Sequence, residues 1–256
     1  MPDADRDDPR RPAIGVDIGG TKLLAVRVEA DDASAVADEL RIPTPVGSDA
    51  LVEGIVAAVT SLDPGGDAAV GVGIPGLVDR AGQFRIGPNL PGVVDLPIGR
   101  LLRDRLGRPV AVDNDATCAT VAEFSAGAGV GATDGVLLTL GTGIGGGVVS
   151  DGIIRRGASG FAGEFGHMVV DPTGPPCPCG RRGCWERYGS GSGLGRLGRD
   201  AAIAGRLGEV AKRARQRLDA PNRIAASAAL RVPSTFVLMP SIGFSSTRGT
   251  CFSAAA

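Results

Sequence analysis

Two glycine-rich runs, each set between short apolar segments, constrain this chain more than any other feature. Ala13–Ile18 leads into Gly19-Gly20-Thr21-Lys22, and Leu23–Val28 follows; later, Val136–Leu140 leads into Gly141–Gly147, and Val148-Val149 follows. Apolar runs this short are strand-length, and a glycine turn joining two of them reads as a hairpin. Glycines in such turns let successive backbone N–H groups point at one anion without side-chain crowding. The 41 glycines among 256 residues are about twice the usual ~7% share, and without a G-X-Y period they exclude collagen.

Between the hairpins the pattern alternates strand and helix. A third strand is expected over Ala37–Ile42. Ser48 can cap a helix running to about Leu62, in which Leu51, Val52, Ile55, Val56 and Val59 recur at helical spacing. Val70–Ile74 reads as a strand and Pro109–Val112 as a buried one, with residues 97–106 and 115–128 as helices. Asp151-Gly152 forms a further hairpin turn. The class is therefore α/β, with two similar halves meeting near residue 116. The expected domains are 13–116, 117–212 and a basic tail at 213–256, with residues 1–12 a solvated tail.

Gly71–Gly76 and Gly141–Gly146 both match G-x-G-x-x-G. A dinucleotide fingerprint must open a helix, whereas here a Pro-Gly turn or a second strand follows, so a Rossmann reading is refused. Two glycine hairpins in two similar halves instead suit a polyphosphate. Thr21 and Lys22 add a hydroxyl and a positive charge, and Asp17 is placed to hold a Mg²⁺ hydration shell. An ordinary tight turn would use the same residues. Asp113-Asn114-Asp115 closes one strand and opens a helix, where open α/β sheets place their ligands; capping that helix is the commoner fate of such residues, and the roles can coexist.

His167, Cys177, Cys179 and Cys184 form a Cys₃His set, which closes a tetrahedral Zn²⁺ site. The loop Asp171–Pro176 has no apolar period and needs such a staple. Cys118 and Cys251 stand apart. His167 is the sole histidine, so a Ser–His–Asp hydrolase would have to take its base from the metal site. Glu164 and Glu186 flank this site and suit vicinal hydroxyls, as does Asn89; carboxylates aimed at hydroxyls reject analogues lacking them.

A net charge of −1 and a pI near 5.9 give no reason to expect nucleic acid. Residues 196–256 hold ten Lys and Arg against three Asp and Glu, while the first 195 hold 17 against 25; the basic residues are scattered among Ala, Pro and Ser, and a packed core is not expected there. No apolar run approaches the ~18 residues that span a bilayer. Five cysteines in a chain whose charged N-terminus reads as leaderless point to a reducing, cytoplasmic location.

Asp17–Lys22, Gly71–Gly76, Asn114-Asp115-Ala116, Gly141–Gly147, Gly163–His167 and Cys177–Glu186 together resemble the ROK family of bacterial sugar kinases, most of all its glucokinases. The motifs cover about residues 13–205. The resemblance implies a two-lobed actin-like ATPase fold with ribonuclease-H-like halves and a zinc-stapled loop, and transfer of the ATP γ-phosphoryl group to a glucose 6-hydroxyl. Asp115 would be the general base. Asn89, Asn114, Asp115, Glu164, His167 and Glu186 would hold the sugar. Asp17, Gly19, Gly20, Thr21, Lys22, Gly141, Thr142, Gly143 and Gly145 would serve ATP and its Mg²⁺, and His167, Cys177, Cys179 and Cys184 would bind structural zinc. A homo-oligomer is implied, with no nucleic-acid or membrane partner. The family's repressors carry a helix-turn-helix before the first lobe, and the dozen residues before Ile14 are too few for one. Another hexose or an N-acetylhexosamine could replace glucose, and polyphosphate could replace ATP.

Two departures stand out. Thr117 replaces the usual Asn, and after about residue 212 the family's further helices, strand and adenosine loop are not read. A reading-frame change would produce such a tail, which sequencing near codon 212 tests; a non-catalytic sugar-binding remnant is the alternative function.

Overall fold

A computed structural model of the chain describes residues 11–29, 32–205, 208 and 235–238. Cys251, the N-terminal tail up to residue 10 and most of the basic tail lie outside the described residues. The chain divides into two compact units, one holding residues up to Val121 together with Arg156–Ala162, the other Ala122–Arg155 and residues from Gly163 onward.

The first unit is built on a five-stranded sheet. Strands β1 (Ala13–Ile18), β2 (Lys22–Glu29) and β3 (Asp32–Pro43) form an antiparallel meander, and β4 (Ala69–Ile74) and β8 (Val110–Asn114) add in parallel, in the order β3-β2-β1-β4-β8. β3 is longer than the Ala37–Ile42 expected, because pairing with β2 runs from Asp32 to Pro43. Ile14, Val16 and Ile18 alternate inward along β1, as a half-buried strand requires. Helix α1 (Ser48–Leu62) covers them with Leu51, Val52, Ile55, Ala58, Val59 and Leu62, all buried. Ser48 does not cap it. Gly47, at φ 91°, holds the capping position without a side-chain hydrogen bond.

Parallel pairing decides what meets at the strand ends. Asp17 is paired with Gly73, Gly73 with Asp113, and Ile74 with Asn114. The carboxyl ends of β1, β4 and β8 thus form one row, where ligands of open α/β sheets gather. A small meander of β5 (Leu77–Val78), β6 (Phe84–Ile86) and β7 (Val94–Leu96) follows β4. The sequence reading missed it, since strands of this length carry no periodicity. Helix α2 (Ile98–Leu106) ends at Gly107, at φ 66°, and leads to β8 and helix α3 (Asp115–Ala126). Arg156–Ala162 also belongs to this unit: Arg156 Nε donates to Asp113 Oδ2 at 2.8 Å.

In the second unit β9 (Gly135–Leu140) and β10 (Ile144–Ser150) form the expected hairpin, extended by β11 (Ile153–Ile154). The turn is only Gly141–Gly143; Gly145, Gly146 and Gly147 lie in β10 itself, contrary to the expected long turn. A side chain at Gly146 would drive into the Leu137 carbonyl and the Phe165 ring, which explains a glycine inside a strand. On the other side of β9, β12 (Thr235–Leu238) pairs antiparallel. In the first unit the equivalent neighbour of β1 runs parallel, so the two halves are less alike than the sequence reading expected. Helices α4 (Glu186–Gly189) and α5 (Gly191–Ile203) complete the described part. Among the described residues no helix is long and apolar enough to cross a membrane.

Candidate functional site

The β1–β2 turn in the first unit is closed by Gly19 N–H donating to the Lys22 carbonyl at 2.8 Å. Thr44, which the sequence reading did not single out, holds the turn from the end of β3. Its hydroxyl donates to the Gly19 carbonyl at 2.6 Å and its N–H to that of Thr21 at 3.1 Å. The amides of Gly20 and Thr21 make no hydrogen bond among the described residues. A Cβ on Gly20 would lie 3.4 Å from that of Asn89, so the expected sugar ligand does stand beside this turn. Lys22 is exposed.

Asn114 and Asp115 act as one device at the end of β8. Asn114 Oδ1 accepts the Thr117 N–H at 3.0 Å, capping α3. Its Nδ2 donates to the Gly76 carbonyl at 3.0 Å and to Asp115 Oδ1 at 2.9 Å. Asp115 Oδ1 also takes the Ala116 N–H at 2.9 Å. Loss of solvent raises the pKa of the Asp115 carboxyl, with the negative charge of Asp17 adding to the effect. The Asp17 carboxyl is raised too, by desolvation, against the pull of Lys22. A raised carboxyl among fixed donors, at the end of a parallel strand, has the properties of a general base. Cys118 lies one turn further on. Burial pushes its thiol up to about 12, with Asp113 and Asp115 adding to the shift, so it is inert at neutral pH.

In the second unit the tip of the β9–β10 hairpin is clasped from several sides. Gly191 and Ser192 N–H donate to the carbonyls of Gly141 at 2.8 Å and Thr142 at 3.2 Å. Glu186 Oε2 accepts the Ile144 N–H at 3.0 Å, and Thr139 Oγ1 that of Gly145 at 3.2 Å. Thr142 and Gly143 keep amides with no acceptor among the described residues. Each unit therefore presents two consecutive open amides at a glycine turn, the arrangement that binds phosphate oxygens.

Gly163–His167 lies flat on β10, because side chains at Gly163 and Gly166 would run into the carbonyls of Gly146 and Ile144. This contact places Glu164 and His167 beside each other, with His167 Nε2 3.9 Å from Glu164 Oε2. The other ring nitrogen, Nδ1, lies 3.6 Å from Cys177 Sγ, and Cys179 and Cys184 Sγ are also 3.6 Å apart. All four donor atoms fall within 4.8 Å of one another. Zn–S and Zn–N bonds of about 2.3 and 2.1 Å make tetrahedral edges of roughly 3.6–3.8 Å, so the cluster fits zinc. Burial is the largest cause that pushes the Cys184 thiol up to about 12, a cost that a bound cation would reverse. The loop is also held by hydrogen bonds unforeseen from sequence. Asp171 accepts from Tyr188 Oη at 2.8 Å and from Thr173 Oγ1 at 2.7 Å.

A mixed sheet of this order, opened by a glycine hairpin and followed by a second hairpin of the same kind, defines an α/β protein of the actin-like ATPase class. More specifically, the chain belongs to the ROK family, whose model matches residues 13–235. That match runs past residue 212, where the sequence reading expected the family pattern to stop. The chain is 40% identical over 192 residues to a glucokinase of Streptomyces coelicolor, covering 75% of this chain and 60% of that protein. It is 41% identical over 184 residues to an N-acetylmannosamine kinase of Citrobacter koseri, covering 71% and 62%. The crystal structure of a ROK family glucokinase from Streptomyces griseus in complex with glucose and AMPPNP superposes with a TM-score of 0.67 at 39% identity, over 75% of this chain and 62% of that one. The chain thus spans about 60% of the length of the curated relatives it matches.

Proposed function

We propose that this chain is a hexose kinase that transfers the γ-phosphoryl group of ATP to the 6-hydroxyl of glucose. The observation that carries the reading is Asp115, a desolvated carboxyl oriented by Asn114 and Ala116. As the hydroxyl oxygen attacks phosphorus, its proton passes to Asp115, and ADP leaves with the electrons of the broken bond. The open amides of Gly20, Thr21, Thr142 and Gly143 take the phosphate oxygens, with Gly19, Gly141 and Gly145 shaping the turns. Asp17, Lys22 and the Thr21 and Thr142 hydroxyls serve Mg²⁺ and the phosphates.

Asn89, Glu164, His167 and Glu186 hold sugar hydroxyls. Asn114 spends both amide hydrogens on Gly76 and Asp115 and one lone pair of Oδ1 on the Thr117 N–H, which leaves the second lone pair of that oxygen for a sugar hydroxyl. His167, Cys177, Cys179 and Cys184 would hold zinc, whose role there is a rigid cross-link. His167, whose Nδ1 lies on the cysteine side and Nε2 on the Glu164 side, would then hold the metal with the first nitrogen and a sugar hydroxyl with the second. A small lobe over 13–116 and a large lobe over 117–212 belong to the same reading, although the compact units divide at Val121 and the first also takes Arg156–Ala162. A cytoplasmic homo-oligomer completes the reading, on family likeness alone. Glucose is read as the acceptor because the sequence motifs most resemble those of glucokinases; another hexose or an N-acetylhexosamine is the alternative, since relatives named for glucose and for N-acetylmannosamine match comparably.

The antiparallel β12 favours a second reading, a sugar-binding chain without turnover. A coupled assay of ADP release with glucose, Mg²⁺ and zinc, run beside glucose calorimetry, separates the two. Glucose-dependent ADP release supports the kinase. Glucose binding without ADP release supports the second reading, and absence of both overturns each.

A further inference from the structure

Glu186 has a position that a sugar ligand alone does not require. It opens α4 two residues after Cys184, and its Oε2 reaches back to the Ile144 N–H at 3.0 Å. Ile144 is the first residue of β10, directly after the open amides of Thr142 and Gly143. The same oxygen lies 2.5 Å from where a Cβ on Gly143 would stand. α4 touches the hairpin at another point as well, since a Cβ on Gly189 would meet Ile144 Cδ1 at 3.4 Å. Among the described residues, Glu186 is the one side chain of α4 that hydrogen-bonds the hairpin; Gly191 and Ser192 hold it through the backbone.

We propose that Glu186 is a positioning residue for the phosphate hairpin, setting the direction of the Thr142 and Gly143 amides while its second oxygen remains for a sugar hydroxyl. The inference rests on reading the Gly141–Gly143 turn as a phosphate loop. Its physical content is that one carboxylate, anchored two residues from a cluster cysteine, joins the sugar-binding loop to the donor-binding turn. Tethering the Ile144 N–H also withdraws it from the phosphate, so the loop offers two amides rather than three.

Gly143 supplies an independent way to break the tether. Its φ is not positive, so alanine suits its backbone. The added methyl would meet the end of a flexible carboxylate rather than main chain, so Gly143→Ala displaces Glu186 without disturbing the fold. Glu186→Gln keeps an oxygen for Ile144 and serves as the conservative rescue.

Amide hydrogen exchange at Ile144, followed by NMR on the zinc-loaded full chain, reads the tether directly. Glu186→Ala and Gly143→Ala are expected to speed exchange at Ile144 about tenfold or more, with Glu186→Gln within about threefold of the parent. Exchange unchanged in both Glu186→Ala and Gly143→Ala overturns the proposal, as does Glu186→Gln exchanging as fast as Glu186→Ala. The readout needs no turnover, so failure of the kinase reading in the ADP assay would be seen separately.

Discussion

Replacing Asn114 by Ala tests whether the end of β8 is one hydrogen-bonded unit. The side chain caps α3 through Thr117 N–H, and a lost cap costs about 1 kcal/mol. The bond to the Gly76 carbonyl is a neutral, partly buried one, worth about 1 kcal/mol. The third bond goes to a carboxylate and is worth about 1.5–3 kcal/mol when well shielded, less here because the site is only partly buried. The expected destabilisation is about 2–4 kcal/mol, or roughly 5–15 °C in Tm for a protein of this size. Asn114→Asp keeps the cap but sets a second carboxylate against Asp115 and the Gly76 carbonyl. It should therefore fold better than Asn114→Ala near pH 4 and lose that advantage as pH rises. Urea unfolding of the three proteins across pH provides the measurement. A loss below 0.5 kcal/mol for Asn114→Ala, on the order of one exposed surface contact, would refute the cooperative reading of this corner.

Asp115→Asn should lower kcat about 10²–10⁴-fold. Because the folded-state pKa of Asp115 is raised, its contribution to stability is greatest at low pH and is lost as pH rises from the unfolded value through the folded one; Asp115→Asn should therefore unfold at higher urea than the parent at pH 7. Asp63, buried with Arg27 Nη1 at 3.0 Å, Ala68 N–H at 3.0 Å and Arg108, holds α1, β2 and the start of β8 together. Asp63→Ala leaves Arg108 buried without its counter-charge, with only the Ala68 carbonyl still accepting from its Nη1 at 3.0 Å, and should cost about 3–5 kcal/mol in denaturant melts. Burial alone would raise the Asp63 pKa, but hydrogen bonds, that of Arg108 foremost, pull it well below the usual range. Its stabilisation is thus complete above the ordinary aspartate value of 3.8 and fades only as pH falls further, so acid melts of parent and variant should converge there. Chelation of metal, or Cys184→Ser, should lower Tm and glucose affinity together, while an unchanged Tm in excess chelator would exclude a structural zinc.

Much of this was local chemistry, and so was legible in the chain itself. Glycine turns between short apolar runs specified the hairpins of Gly19–Thr21 and Gly141–Gly143, and the period of Leu51 to Val59 specified α1. Three cysteines and a histidine within a short span specified a compact donor cluster. Each rests on residues close in sequence, whose spacing fixes what they can reach. Tertiary structure decided what depends on pairing between distant segments. Parallel register brought Asp17, Gly73 and Asp113 into one row, and antiparallel pairing of β2 with β3 brought Thr44 onto a turn more than twenty residues away. Antiparallel pairing of β12 broke the likeness of the halves, and the reach of Glu186 to Ile144 gave a residue read as a sugar ligand a second partner. No period or spacing encodes such meetings, because they follow from which backbones lie side by side once the core has closed.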